Sequence, residues 1–188
     1  MNGQNLAEAA HSALILAPQT ISGGATAQAF HLKSGEHASI YILFGAEGGS
    51  PAVVPTSIVV NQCTTAAGAS ATALPGGFRY YYSLLGGAGN DVLNGIGGAP
   101  ANAPGKPPNY ATSSGITSFP ASISNLMYII EIDSAELESS LVDVVGTIVE
   151  YPYLQVVIAN GAYATYCAIL VVVTGMRWAW AQSPSITT

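Results

Sequence analysis

At 188 residues the chain has the length of one substantial domain, and its 10 acidic against 4 basic residues leave a net charge of -6. Binding a phosphate backbone needs clustered Lys and Arg, so nucleic acid is excluded as an expected partner. Only 7% of residues are charged while 49% are hydrophobic and mean hydropathy is +0.40, which leaves little charged surface to disperse a lone monomer and favours burial in an assembly.

The chain begins MNGQNLAEAAHSALILAPQ, with no Lys or Arg before a short apolar run and with Glu8 and His11 interrupting it, so no secretion signal is read. Leu6, Ala9, Ala10, Ala13 and Leu14 recur at helical spacing, Asn5 and Glu8 stand in a capping-box relation, and Pro18 terminates the pattern. Residues 1–25 are therefore expected to form an N-terminal helix or arm. Such a segment is marginal alone and would dock on the body or reach a neighbouring subunit.

From Thr26 the pattern changes to short runs rich in β-branched and aromatic residues: TAQAFHLK, ASIYILFG, TSIVVNQC, FRYYYSLL, LMYIIEID, DVVGTIVEY, YLQVVIA and YATYCAILVVVTG. Gly, Pro and Ser clusters separate them. SGEH after Lys33 and ANGAY around Gly161 read as tight hairpin connections. The expectation is an all-β fold, an antiparallel β-sandwich or jelly roll spanning 26–188 as a single domain. ASIYILFG and AILVVV are apolar on both faces, which places them in the middle of a sheet or at a subunit contact.

The uncharged run from Tyr151 to Met176 is long enough to cross a bilayer, but Pro152, Gln155, Asn160, Gly161 and several tyrosines break its apolar character. Adjacent strands explain it, and no membrane is expected. From Leu84 to Asn125 the chain is dense in Gly, Pro, Ala, Ser and Asn with only Asp91 and Lys106 charged, and reads as a long loop insertion. Inside it, GGAGNDVLNGIGG fits one copy of the nonapeptide of calcium-binding β-rolls, with Asp91 and Leu93 at the acidic and apolar places. A β-roll holds each ion between neighbouring repeats, and the sequence that follows does not repeat the pattern. A glycine-rich loop is the better reading.

The densest group of acids is EIDSAELES, with Glu131, Asp133, Glu136 and Glu138. On a strand, Glu131 and Asp133 share a face, and Asp133 with Glu136 three residues on makes a capping box at the strand exit. Paired carboxylates do glycosidase work only across an aromatic-lined cleft of suitable width, which nothing here promises. His11, His31 and His37 have no metal-ligand spacing, and each reads as a surface or packing residue. Cys63 and Cys167, far apart in apolar surroundings, read as buried free thiols. No Gly-x-Ser-x-Gly elbow, phosphate loop or dinucleotide fingerprint is present. Catalytic, cofactor-binding and metal residues are therefore not assigned, and the chain is not read as an enzyme. GMRWAWA sets Arg177 beside Trp178 and Trp180, which on a strand share a face with Met176 and suit a core or subunit interface.

The succession AFHLKSGEHASIYILFGA, IVVNQCTTAAGASATAL, FRYYY, YIIEIDSAEL and YLQVVIANGAYATYCAILVVVTGMRWA resembles the capsid decoration (cement, or head auxiliary) proteins of tailed bacteriophages. The matching places are the polar turn at Ser34 to His37, the link Thr65 to Gly68, the aromatic strand Phe78 to Tyr81, the acidic strand Tyr128 to Leu137, and the late apolar strand Ala168 to Trp178. The resemblance covers about two thirds of the chain, and the insertion at 84–125 and LVDVVGTIVEYPY depart from it. It implies a β-sandwich subunit, commonly trimeric, placed on the outside of the virion shell, where it reinforces contacts between major capsid proteins. Alternatives are a tail, baseplate or head-fibre component and, from another class, a carbohydrate- or calcium-dependent adhesion module built on Trp178, Trp180 and GGAGNDVLN. A glycosidase using Glu131 and Asp133 ranks last.

Overall fold

The computed structural model describes residues 10–32, 35–47, 54–84, 109–119, 125–137, 141–142, 148–159 and 165–175. Among the described residues thirteen strands follow in chain order. They are β1 (Ala10–Ile21), β2 (Ala25–Thr26), β3 (Phe30–His31), β4 (His37–Glu47), β5 (Ser57–Cys63), β6 (Thr72–Ala73) and β7 (Phe78–Leu84). After them come β8 (Asn109–Ala111), β9 (Leu126–Asp133), β10 (Leu141–Val142), β11 (Ile148–Val149), β12 (Tyr153–Ala159) and β13 (Thr165–Thr174).

Strict alternation builds the longer strands. In β12 the residues Leu154, Val156 and Ile158 point inward while their neighbours stay partly exposed, and β13 alternates in the same way through Cys167, Ile169, Val171 and Val173. All strand pairs are antiparallel. One sheet runs β1-β13-β4-β9-β7-β8, the other β2-β12-β5-β6 with β3 also on β12, and β10 pairs with β11 alone. The chain thus passes repeatedly from one sheet to the other, and four consecutive strands of each follow jelly-roll order, β1-β13-β4-β9 over β2-β12-β5-β6.

The inner faces close on one apolar core. Ile40, Ile42, Ile130, Ile132 and Ile169 from the larger sheet meet Ile58, Val60, Leu154 and Val156 from the smaller, all at 1% exposure or less. Each such side chain contributes roughly 1.5–3 kcal/mol relative to leaving it in water. At one end Tyr128 is ringed by Phe44, Tyr80, Tyr82 and Phe119, with ring centroids 5.8 to 6.3 Å away.

Three sequence expectations are corrected. The helical spacing over Leu6–Ala17 is, from Ala10 onward, strand β1, paired with β13 at the edge of the larger sheet. Register shifts between Leu14 and Leu16 and again between Leu16 and Gln19 make Ile15 and Leu16 both face inward, so the alternation that marks a strand is broken. Pro18 is tolerated because β1 is an edge strand. Residues 10–21 therefore belong to the body of the sandwich rather than to an arm; Asn5, Leu6, Glu8 and Ala9 lie outside the described residues.

SGEH and ANGAY are not hairpin connections. The first leads from β3 in the smaller sheet to β4 in the larger, and the second from β12 to β13 across the same gap. A short polar connection does not say whether the chain returns beside the strand it left or crosses the core. Within 84–125, read as loop throughout, Asn109–Ala111 add a strand beside β7, and buried Ile116 exchanges backbone hydrogen bonds with Ile58.

Candidate functional site

The outer face of the larger sheet carries the arrangement that the core does not explain. Two rows of residues, each in register across five or six strands, run across it. One row reads Ser12, Val172, Ser39, Glu131, Arg79 and Tyr110 on β1, β13, β4, β9, β7 and β8. The next, two residues along each strand, reads Leu14, Leu170, Tyr41, Ile129 and Tyr81. Ala168, Leu43 and Met127 continue the apolar surface beyond it. Outward positions of a solvated sandwich face are ordinarily polar, so an apolar row through the middle of the sheet is a departure.

At the polar end, His37 is opposite Asp133 in register and Ser39 is opposite Glu131. His37 Nδ1 lies 2.7 Å from Asp133 Oδ1, and its Nε2 contacts Glu131 Oε2. Arg79 Nη2 donates to Asp133 Oδ2 at 2.7 Å, and the Ser39 hydroxyl donates to Glu131 Oε2 at 3.1 Å. Burial pulls the His37 imidazole down, but hydrogen bonds to Asp133 and Glu131 and the charges of both carboxylates outweigh it and hold the group above its ordinary value. For Asp133 the hydrogen bond from His37 acts first; burial opposes it, the Arg79 guanidinium adds to it, and the carboxyl is held below its ordinary range. The cluster is two cations against two anions when His37 is protonated.

Chemically this is a clamp. Ser39 Oγ lies 3.4 Å from His37 Nε2, and with Asp133 on Nδ1 the connectivity is that of a Ser-His-carboxylate relay. Glu131 occupies the Nε2 side and accepts the Ser39 hydroxyl proton, so both imidazole nitrogens hold carboxylates and no lone pair faces the serine. Among the described residues no group of three or more His, Cys, Asp or Glu side chains is arranged to hold a metal ion.

The sequence reading placed Glu131 and Asp133 on one face and Asp133 with Glu136 in a capping box, and both arrangements are present. The Glu136 carboxylate accepts the Asp133 backbone N–H at 2.9 Å over the short 3-10 turn Ser134–Glu136. His37 and Arg79 were not anticipated as their partners; the contacts span 94, 96 and 54 residues of chain. The only cue was period-2 placement of His37 and Ser39 on one face of β4.

The other histidines lie elsewhere. His31 packs edge-on against Tyr153 with centroids 5.0 Å apart, and His11 sits on β1 with a buried Nε2 that has no partner among the described residues. Cys63 and Cys167 are free and buried on different sheets, and burial pushes both thiols up, Cys167 to about 12. Asp91, Leu93, Glu138, Met176, Arg177, Trp178 and Trp180 lie outside the described residues. Among the described residues no helix is long and apolar enough to cross a membrane, and 153–159 and 165–174 of the long uncharged run are strands. Comparison with known protein families, curated proteins and solved structures found no match to this chain.

Proposed function

We propose that this chain is a virion structural protein of the phage capsid-decoration type, which binds the outside of the shell as a homo-oligomer and stabilises contacts between major capsid proteins. The observation that carries the reading is the outer face of the larger sheet: a rigid antiparallel platform with an apolar row through its centre and charges gathered at one end. That is the anatomy of a protein-docking surface, with an apolar centre and a polar rim. Jelly-roll order is common among viral capsid domains and also occurs in lectins, so the fold is compatible with this role without defining it. Binding alone suffices for the task, since copies that bridge neighbouring capsomers raise the barrier to their separation.

The reading is tested by adding purified protein to shells of its phage that lack it. Saturable co-sedimentation and a higher temperature of shell rupture are expected. Shells that neither retain the protein nor gain heat resistance would overturn the reading.

A further inference from the structure

We propose that the outer face of the larger sheet is the contact between copies of this chain, with the row Leu14, Leu170, Tyr41, Ile129 and Tyr81 at its centre. The proposal deepens the homo-oligomer part of that reading and rests on it there: a second copy occupies this face, and the shell meets the rest of the oligomer's surface.

Three observations single out a second copy as the occupant. The first is area. Five strands about 4.8 Å apart, crossed by outward rows about 6.8 Å apart, present a face on the order of 24 by 30 Å, or roughly 700 Å2, close to the roughly 800 Å2 per partner that a stable complex needs. The second is charge. The chain carries a net charge of -6, so most of its surface would repel a copy of itself. On this face the charges that meet at the polar end, His37 and Arg79 against Glu131 and Asp133, cancel when His37 is protonated. Two acidic chains meet here without setting net charge against net charge.

The third is the distribution of exposure. Leu14 is 51% exposed at the β1 edge and Tyr110 66% exposed at the β8 edge, so large apolar groups reach the rim of the face on both sides. Between those rims Leu170, Tyr41 and Tyr81 are half-buried and Ile129 is 9% exposed, so the row is open to water towards its ends rather than at its middle. On a chain only 7% charged, large apolar groups left exposed at the rims of a face are suited to burial against a second copy.

The experiment is the solution mass of the full chain by light scattering over a concentration series, for wild type and three variants. Leu170→Glu puts a charge in the middle of the face. Leu14→Glu does so at the exposed edge strand, where folding tolerates it. Ala67→Glu places the same charge on an exposed turn between β5 and β6 as the control. Circular dichroism and urea midpoints at low concentration identify the folded variants. Wild type and Ala67→Glu are expected as oligomers of two or three chains, and a buried unpaired carboxylate weakens association at least about tenfold in the other two.

A wild type that stays monomeric at every concentration overturns the proposal, as does an oligomer indifferent to every folded face variant. Co-sedimentation with shells is scored separately. Lost self-association with shell binding intact leaves the decoration reading standing, and the reverse result removes that reading alone.

Discussion

His37 on β4 and Asp133 on β9 stand directly opposite one another, and their side chains meet with Nδ1 2.7 Å from Oδ1. The pair sets how stability follows pH. His37 is held above 6.5, so its contribution is fully present below that value and is lost as pH rises through the higher folded-state value. Asp133 is held below 3.8, so its contribution is present above 3.8 and lost as pH falls through the lower folded-state value. The Arg79 guanidinium and the Glu131 carboxylate face the pair, exposed Glu36 and Glu136 lie nearby in the chain, and Thr174, opposite His37 on β13, carries no charge. The urea midpoint should therefore be highest between pH 3.8 and 6.5 and fall on the alkaline side. In His37→Gln that alkaline decline should vanish, and an unchanged profile would refute the coupling.

Gly76 and Gly77 are neighbours with opposite demands. A Cβ on Gly76 meets nothing within 4 Å, whereas one on Gly77, at φ +71°, would lie 1.9 Å from the Ala111 carbonyl oxygen, where β7 pairs with β8. Backbone cannot swing aside as a side chain does. Gly77→Ala should cost more than about 2 kcal/mol in urea unfolding, and Gly76→Ala should stay within about 0.5 kcal/mol of wild type.

Tyr128 is 1% exposed and its hydroxyl has no hydrogen-bond partner among the described residues. Burial pushes this phenol well above its ordinary range, with Tyr80 and Tyr82 adding to the shift. A buried unpaired hydroxyl costs about 1–3 kcal/mol, so Tyr128→Phe, which keeps the ring packing against Phe44 and Phe119, should leave stability unchanged or raise it by about 1 kcal/mol. A loss above about 1 kcal/mol would mean that the hydroxyl donates to a group elsewhere in the chain.

Where a strand alternates without interruption it was legible: LMYIIEID and YLQVVIA are β9 and β12 to the residue. The apolar character of ASIYILFG and AILVVV on both faces also read correctly as the middle of a sheet, since β4 and β13 each have a neighbour on both sides. The clamp was half legible, because Glu131 and Asp133 share a face by period alone, while their pairing with His37 and Arg79 depends on which strands become neighbours. Local pattern carries no such information. The sheet-to-sheet crossings were hidden for the same reason.

β1 was misread because two register shifts disguise it, and the misreading yields a sharp test. On the face that helical spacing predicts, Leu14 points inward and Ile15 does not. On the strand, Ile15 is 5% exposed in the core and Leu14 is 51% exposed. Ile15→Ala should therefore cost about 2–4 kcal/mol through lost burial and the cavity left behind. Leu14→Ala, measured at concentrations too low for association to contribute, should cost less than about 1 kcal/mol. Because β1 supplies Ala13, Ile15, Leu16 and Ile21 to the core and covers one edge of β13, deleting residues 1–22 should abolish cooperative unfolding rather than trim a tail. A truncated protein that still unfolds in one sharp transition near the wild-type midpoint would return the segment to the status of an arm.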